Sequence, residues 1–135
     1  MSVESNKGVR VLVVDDVPSA RRIIKKQLEN LGYRDVMEAQ SGQDAIALLS
    51  KEQCSLILSD WNMPNLGGLE LLKHLRSKEN LKNLPFIMIT STAGSEQIVE
   101  SAKAGVSDFI VKPFSTETLE KKISGISSKI KPIAQ

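Results

Sequence analysis

Polar side chains follow four of the five short apolar segments in this 135-residue chain. Asp15 and Asp16 follow the first segment, Asp60 ends the third, Thr90 ends the fourth, and Lys112 follows the fifth. If the segments are parallel strands of one sheet, their carboxyl ends lie along the same edge, which is where ligands bind in open α/β sheets. The spacing therefore predicts that these five groups form one site.

The chemistry that fits this set of groups is phosphoryl transfer. Two carboxylates about 4 Å apart repel by about 4 kcal/mol at an effective dielectric constant near 20, so three of them need a compensating cation. Mg²⁺, which prefers oxygen ligands, would supply one, and Lys112 is the other candidate. A carboxylate nucleophile, a lysine, a hydroxyl and Mg²⁺ together can bind a phosphoryl group and neutralise its oxygens.

Each of these residues also has an ordinary structural explanation. Aspartates after a strand commonly cap helices, and the Thr90-Ser91 and Lys112-Pro113 pairs are common in turns. The interpretation as a site depends on all of them following strands, because a buried parallel sheet has no structural need for polar groups there.

The elements that would position these groups alternate regularly along the chain. Apolar segments predict strands over 9–14, 35–39, 55–60, 85–90 and 108–111. Amphipathic patterns predict helices over 18–31, from Ser41, over 66–77, over 95–105, and from Ser115 or Thr116 as far as Ile130. This alternation predicts an α/β fold of the doubly wound (βα)5 kind, a five-stranded parallel sheet with helices on both faces and the flavodoxin-like strand order 2-1-3-4-5.

Composition indicates one domain over 1–135, with a core of about 9–128 and frayed ends at 1–8 and 130–135. Cys54 is the single cysteine, so an internal disulfide is excluded and a reducing, cytoplasmic location is expected. No apolar segment approaches the roughly 18 residues that span a bilayer, so no membrane partner is expected. A net charge of +2 gives no argument for nucleic acid.

Several motifs, in this order, resemble a known family over roughly residues 9–128. They are "VLVVDD", "ARRIIKKQLENLGY", "SDWNMPN", "GLELLKHLR", "MITS" and "DFIVKPF". The chain resembles the CheY-like receiver domains of bacterial two-component response regulators. The stretch "DWNMPN…GLELLK" is similar to the single-domain members that act in chemotaxis.

The resemblance implies a role for each residue of the acidic site. Asp60 stands at the position of the phosphoacceptor. Asp15 and Asp16 stand at the acidic metal pair, and Mg²⁺ would be bound by them, by Asp60 and by the backbone carbonyl of Asn62. No other cofactor is implied.

The resemblance also implies a conformational switch. Thr90 stands at the switch hydroxyl and Phe109 at the switch aromatic position, while Lys112 would contact the phosphorylated aspartate. The Lys112–Pro113 bond would be cis, as is usual in the family. Phosphorylation would then change the surface formed by the fourth helix, the fifth strand and the fifth helix.

The chain departs from the family pattern at several of these positions. Chemotaxis members usually have tyrosine at Phe109, so this chain lacks that hydroxyl. Gly67 replaces an acid that the family often has, which predicts a more mobile loop after Asp60. Thr92 replaces a common glutamate, and together with Asn62 it would tune dephosphorylation. Pro18 replaces a serine and stiffens the start of the first helix.

The resemblance implies a signalling protein that catalyses its own phosphorylation and dephosphorylation without being a conventional enzyme. The phosphodonor would be a sensor histidine kinase or a small molecule such as acetyl phosphate. The expected partners are the flagellar motor switch protein or another target, and a phosphatase, with the chain itself a monomer. The alternative is a phosphorelay intermediate that passes the group to a histidine phosphotransfer protein.

Two other classes fit the residues less well. A haloacid-dehalogenase-like phosphatase needs an Asp-x-Asp pattern on its first strand, which "VVDDVP" lacks. A carrier of flavin mononucleotide needs a glycine- and serine-rich loop after that strand, where "DDVPSAR" is acidic.

The first helix carries a basic cluster, interpreted as a solvated helix face or as a docking site for an acidic kinase domain. The cluster consists of Arg21, Arg22, Lys25 and Lys26.

Overall fold

The computed structural model describes residues 6–91 and 94–133, with the backbone alone at Ser95. Within that part of the chain, the strands are β1 (Arg10–Val14), β2 (Asp35–Ala39), β3 (Leu56–Asp60), β4 (Phe86–Thr90) and β5 (Asp108–Val111). The helices are α1 (Pro18–Asn30), α2 (Gly42–Leu49), α3 (Gly68–Arg76), α4 (Ser95–Lys103) and α5 (Thr116–Gly125). All pairings are parallel and the sheet order is β2-β1-β3-β4-β5, which confirms the predicted fold.

The three central strands are buried on both faces of the sheet, as their unbroken apolar sequences predict. On one face their side chains pack with α1 and α5, through residues such as Leu28 and Leu119. On the other face they pack with α2 and α3, through residues such as Leu49 and Leu72. Each fully buried leucine contributes about 2 kcal/mol, so these two layers hold the strand ends in fixed positions.

The helix ends follow the signals in the sequence. Pro18 occupies the first turn of α1, and the side chains of Ser41 and Ser115 each accept a hydrogen bond from a backbone N–H three residues later. Gly32 and Gly105 follow α1 and α4 with φ of 95° and 91°, a region that glycine adopts without strain.

The predicted end of the last helix was wrong. Helix α5 ends at Gly125, Ile126 leaves the helical conformation at φ −119° and ψ 14°, and a short 3-10 turn over Ser127–Lys129 follows. Ile126 is nevertheless buried, and Ile130 packs on the same core. Their helical spacing therefore reflected burial, whereas the glycine and serines of this segment favour helix less than the preceding residues do.

The two ends of the described chain each make a hydrogen bond to the rest of the domain, and the frayed ends expected over 1–8 and 130–135 stay a prediction. The Asn6 side chain is buried and donates to the Leu31 carbonyl at 2.7 Å. The backbone N–H of Ile133 donates to the Gly8 carbonyl at 2.8 Å. These contacts lie at the edge of the sheet opposite the polar strand ends.

Candidate functional site

The structure brings the predicted polar groups together at the carboxyl edge of the sheet. Asp60 is the last residue of β3 and Thr90 the last of β4. Asp15 and Lys112 each lie one residue beyond β1 and β5. Carboxylate oxygens of Asp15, Asp16 and Asp60 all lie within 4.8 Å of one another. Four strands of one rigid sheet therefore supply the site.

The three carboxylates differ in their exposure to solvent. The Asp15 side chain is only 1% exposed and that of Asp60 is 13% exposed, whereas Asp16 is on the surface. Three carboxylates within this distance, one of them open to water, match a hard dication that keeps part of its hydration shell. The donor set therefore fits Mg²⁺, and the role of the Asn62 carbonyl stays a prediction.

Lys112 connects the first and third strands through their carboxylates. Its Nζ atom lies 2.9 Å from Asp15 Oδ2 and 3.7 Å from Asp60 Oδ1. The other oxygen of Asp15 accepts a hydrogen bond from the Val17 N–H at 2.9 Å. The Lys112–Pro113 peptide bond is cis, as the resemblance implied. Asp15 is thus held on both sides while Asp60 keeps one oxygen outside this ion pair.

The environment raises the pKa of Asp60 above its usual 3.8. Burial is the main cause, because it disfavours the charged carboxylate, and the nearby Asp15 and Asp16 add repulsion. Lys112 and a hydrogen bond from the Asn62 backbone act in the opposite direction and lower the pKa. A cation bound among the three acids would favour the ionised carboxylate, which is the nucleophilic form.

The backbone after Asp60 is held closely against β3 and β4. The Trp61 N–H donates to the Ile89 carbonyl at 2.7 Å, and the Gly68 N–H donates to the Trp61 carbonyl at 3.0 Å. A Cβ atom at Gly68 would lie 2.3 Å from the Asp60 carbonyl oxygen, so only glycine allows this approach. The Trp61 side chain packs beside the α2–α3 layer.

Thr90 and Phe109, the two residues predicted to act as a switch, make contacts that the sequence did not predict. Thr90 is 5% exposed, and its hydroxyl donates to the Gln97 side-chain oxygen at 2.7 Å. Phe109 is half-buried, and Lys122 Nζ lies 5.0 Å from the centre of its ring. Lys122 also pairs with Asp108 at 3.2 Å. Gln97 and Lys122 come from α4 and α5, and no motif marked either one.

Thr92, predicted to tune dephosphorylation, lies outside the described residues. Asn62, predicted to act with it, is exposed beside the acidic cluster.

The four residues of the basic cluster on α1 differ in their contacts and in their exposure. Arg21 donates to the Asp15 carbonyl at 2.6 Å and pairs with Glu38 at 3.1 Å, and Lys25 pairs with Glu38 at 3.7 Å. Arg22 and Lys26 are exposed. Arg21 therefore lies at the edge of the site, and docking of an acidic kinase domain on this cluster stays a prediction.

Cys54 is a partly buried free cysteine. The Cys54 thiol donates weakly to the Leu56 carbonyl, and burial raises its pKa to about 11, so it is not a reactive thiolate at neutral pH.

Among the described residues, no helix is long and apolar enough to cross a bilayer.

Fold and site together define a doubly wound α/β domain with an acidic cluster and a lysine at the carboxyl edge of its sheet. The model of the response regulator receiver domain family matches residues 11–124. The chain belongs to this family, whose members are signalling domains and not conventional enzymes.

Similar proteins support the same assignment. The chain is 44% identical over 125 residues to the chemotaxis protein CheY-3 of Vibrio cholerae, covering 93% of this chain and 96% of that protein. It is 40% identical over 122 residues to the chemotaxis protein CheY of Pseudomonas aeruginosa, covering 90% and 98%. The solved structure of Vibrio cholerae chemotaxis protein CheY4 superposes with a TM-score of 0.82 at 35% identity, covering 87% and 98%.

Proposed function

We propose that Asp60 accepts a phosphoryl group from the phosphohistidine of a sensor kinase, in a reaction that requires Mg²⁺. The proposal is carried by the carboxylate cluster of Asp15, Asp16 and Asp60, with Lys112 within 3.7 Å of Asp60. In the transfer, an Asp60 oxygen forms the new bond to phosphorus while the bond from phosphorus to the histidine nitrogen breaks, leaving neutral imidazole after protonation.

The residues around Asp60 have different roles in the transfer. Asp15, Asp16, Asp60 and the Asn62 carbonyl would hold Mg²⁺, which when bound neutralises negative charge on the phosphoryl oxygens. Lys112 places a second positive charge beside Asp60, and the Thr90 hydroxyl donates to another phosphoryl oxygen. Hydrolysis by water resets the protein, with Asn62 and Thr92 setting the rate.

Phosphorylation would alter the surface of α4, β5 and α5. Movement of Thr90 toward the phosphoryl group leaves space that Phe109 fills from its half-buried position. A switch of this kind works through the different contacts that the phosphoryl group makes in the two states. The output would be direct binding to a protein target in the cytoplasm, and the similarity to chemotaxis proteins points to the flagellar motor switch.

A phosphorelay role is the second candidate, and one feature favours it. An apolar groove of about 190 Å³ lies between α1 and the segment after β5, lined by Ile23, Ile24 and Phe114 and bordered by Lys112. Ile23 is 61% exposed. An apolar groove beside the acceptor suits a helical partner that carries a histidine.

Incubation with acetyl phosphate and Mg²⁺ tests the phosphoacceptor. Intact mass should show one phosphoryl adduct, and peptide mapping should place it on Asp60. Trp61 fluorescence should change with the same time course, since Trp61 follows the acceptor. The Asp60→Asn variant should give neither signal, and an equal adduct on that variant would refute the assignment.

Transfer assays separate the two candidate roles. A phosphorylated chain that binds motor switch protein, and does not pass its phosphoryl group to histidine phosphotransfer proteins, supports the chemotaxis role. Rapid transfer to such a protein, weakened by Ile23→Ala, supports the phosphorelay.

A further inference from the structure

We infer that Gln97 is a latch on the switch hydroxyl, which holds Thr90 in the unphosphorylated state and couples its release to α4. The inference deepens the proposed function and rests on it. Thr90 Oγ1 donates to Gln97 Oε1 at 2.7 Å, and Thr90 is almost completely buried. A hydrogen bond at this distance between two side chains, one of them buried, is well formed.

Gln97 and the phosphoryl group compete for Thr90 because its hydroxyl carries a single proton. A threonine hydroxyl has one O–H, so it donates to one strong acceptor at a time. In this structure the acceptor is Gln97, whereas the proposed function requires the same proton to reach a phosphoryl oxygen on Asp60. The two bonds therefore exclude one another, and the Gln97 bond stabilises the unphosphorylated state alone.

The position of Gln97 links this competition to the surface of α4, β5 and α5, which is the surface proposed to bind the target. Gln97 is the third residue of α4 and only partly exposed, and two residues later Val99 is 49% exposed on the same helix. Release of Thr90 removes a bond between the end of β4 and the first turn of α4. Phosphorylation would thereby loosen the start of the helix that carries part of the output surface.

The test measures binding of beryllofluoride, a stable mimic of the phosphoryl group, with Mg²⁺ and Trp61 fluorescence as the signal. Gln97→Met keeps the length of the side chain and removes the acceptor. It should bind beryllofluoride about two- to tenfold more tightly, the range expected for the net contribution of one hydrogen bond. Gln97→Glu supplies a charged, stronger acceptor and should bind more weakly than the wild type.

The Thr90→Val background separates the latch from general effects of the substitutions. Without the hydroxyl, Gln97→Met and Gln97→Glu should each change beryllofluoride affinity by less than about twofold, because their common partner is gone. Amide exchange gives a second readout. Beryllofluoride should speed exchange in the first turn of α4 in the wild type, and Gln97→Met should show that speed without ligand.

The outcomes distinguish the latch from the proposed function. If the wild type binds beryllofluoride and Gln97→Met binds no more tightly, or its effect persists with Thr90→Val, the latch is refuted and the phosphoacceptor stands. If the wild type does not bind beryllofluoride with Mg²⁺, both are refuted. Thermal unfolding of each variant checks that it is folded.

Discussion

At the scale of single residues, the proposed function of Asp60 and the stability of the folded protein place opposite demands on its carboxylate. Its carboxylate is largely buried and lies close to two other acids, and Lys112 offsets only part of the repulsion. We therefore predict that Asp60→Asn raises the free energy of unfolding in Mg²⁺-free buffer at pH 7, by an amount on the order of 1 kcal/mol. Urea titration of both proteins measures this difference.

The raised pKa of Asp60 fixes how this gain depends on pH. The folded state holds the proton more tightly than the unfolded state, so wild-type stability contributed by this group falls as pH rises from about 3.8 through the folded pKa. The advantage of Asp60→Asn should therefore be small near pH 4 and larger at pH 7. An advantage that shrinks as pH rises would contradict the assigned environment of Asp60.

At the scale of elements, Gly67 sets the connection from β3 to α3. Its backbone is extended, with φ −81° and ψ −178°, and its N–H donates to the Glu70 side chain at 3.1 Å. A Cβ atom there would lie 2.9 Å from the Trp61 carbonyl oxygen. We predict that Gly67→Ala lowers the free energy of unfolding by about 1 kcal/mol, since backbone must shift to admit the methyl group.

Gly67→Asp is the matched variant, because it restores the acid that the family often has. It adds the same Cβ atom, but its carboxylate can cap the start of α3, a contribution of about 1 kcal/mol. It should therefore be less destabilised than Gly67→Ala in urea titrations. A larger loss for the aspartate would show that charge near Asp60, and not the space at Cβ, decides the residue at this position.

The elements also show which features a sequence can reveal. Helix caps were predictable because residues such as Ser41 and Ser115 accept hydrogen bonds from neighbours within one turn. Strand ends were predictable because the apolar segments end at polar residues. The bond from Thr90 to Gln97 was not, although only seven positions separate them, because it depends on how α4 packs against β4. The same is true of Lys122 over Phe109, which requires α5 to lie beside β5.

At the scale of the whole molecule, we expect the acidic edge to lower the stability of the protein without metal, because its three carboxylates repel one another. Four strands end there, and their positions are fixed by packing throughout both layers. A cation that binds only the folded arrangement therefore stabilises the entire domain. We predict that Mg²⁺ at about 100 times its dissociation constant adds about 2.7 kcal/mol. For a domain of this size, the Tm should rise by about 10 °C.

Two exposed acids provide the comparison. Asp16→Asn removes one carboxylate of the acidic cluster without disturbing the core, and it should lose most of the Mg²⁺-dependent rise in Tm. Glu79→Gln removes an exposed acid beyond α3, away from the cluster, and should keep the full rise. Equal responses in the two variants would mean that Mg²⁺ acts on the general charge of the protein, because a site at the sheet edge must distinguish them.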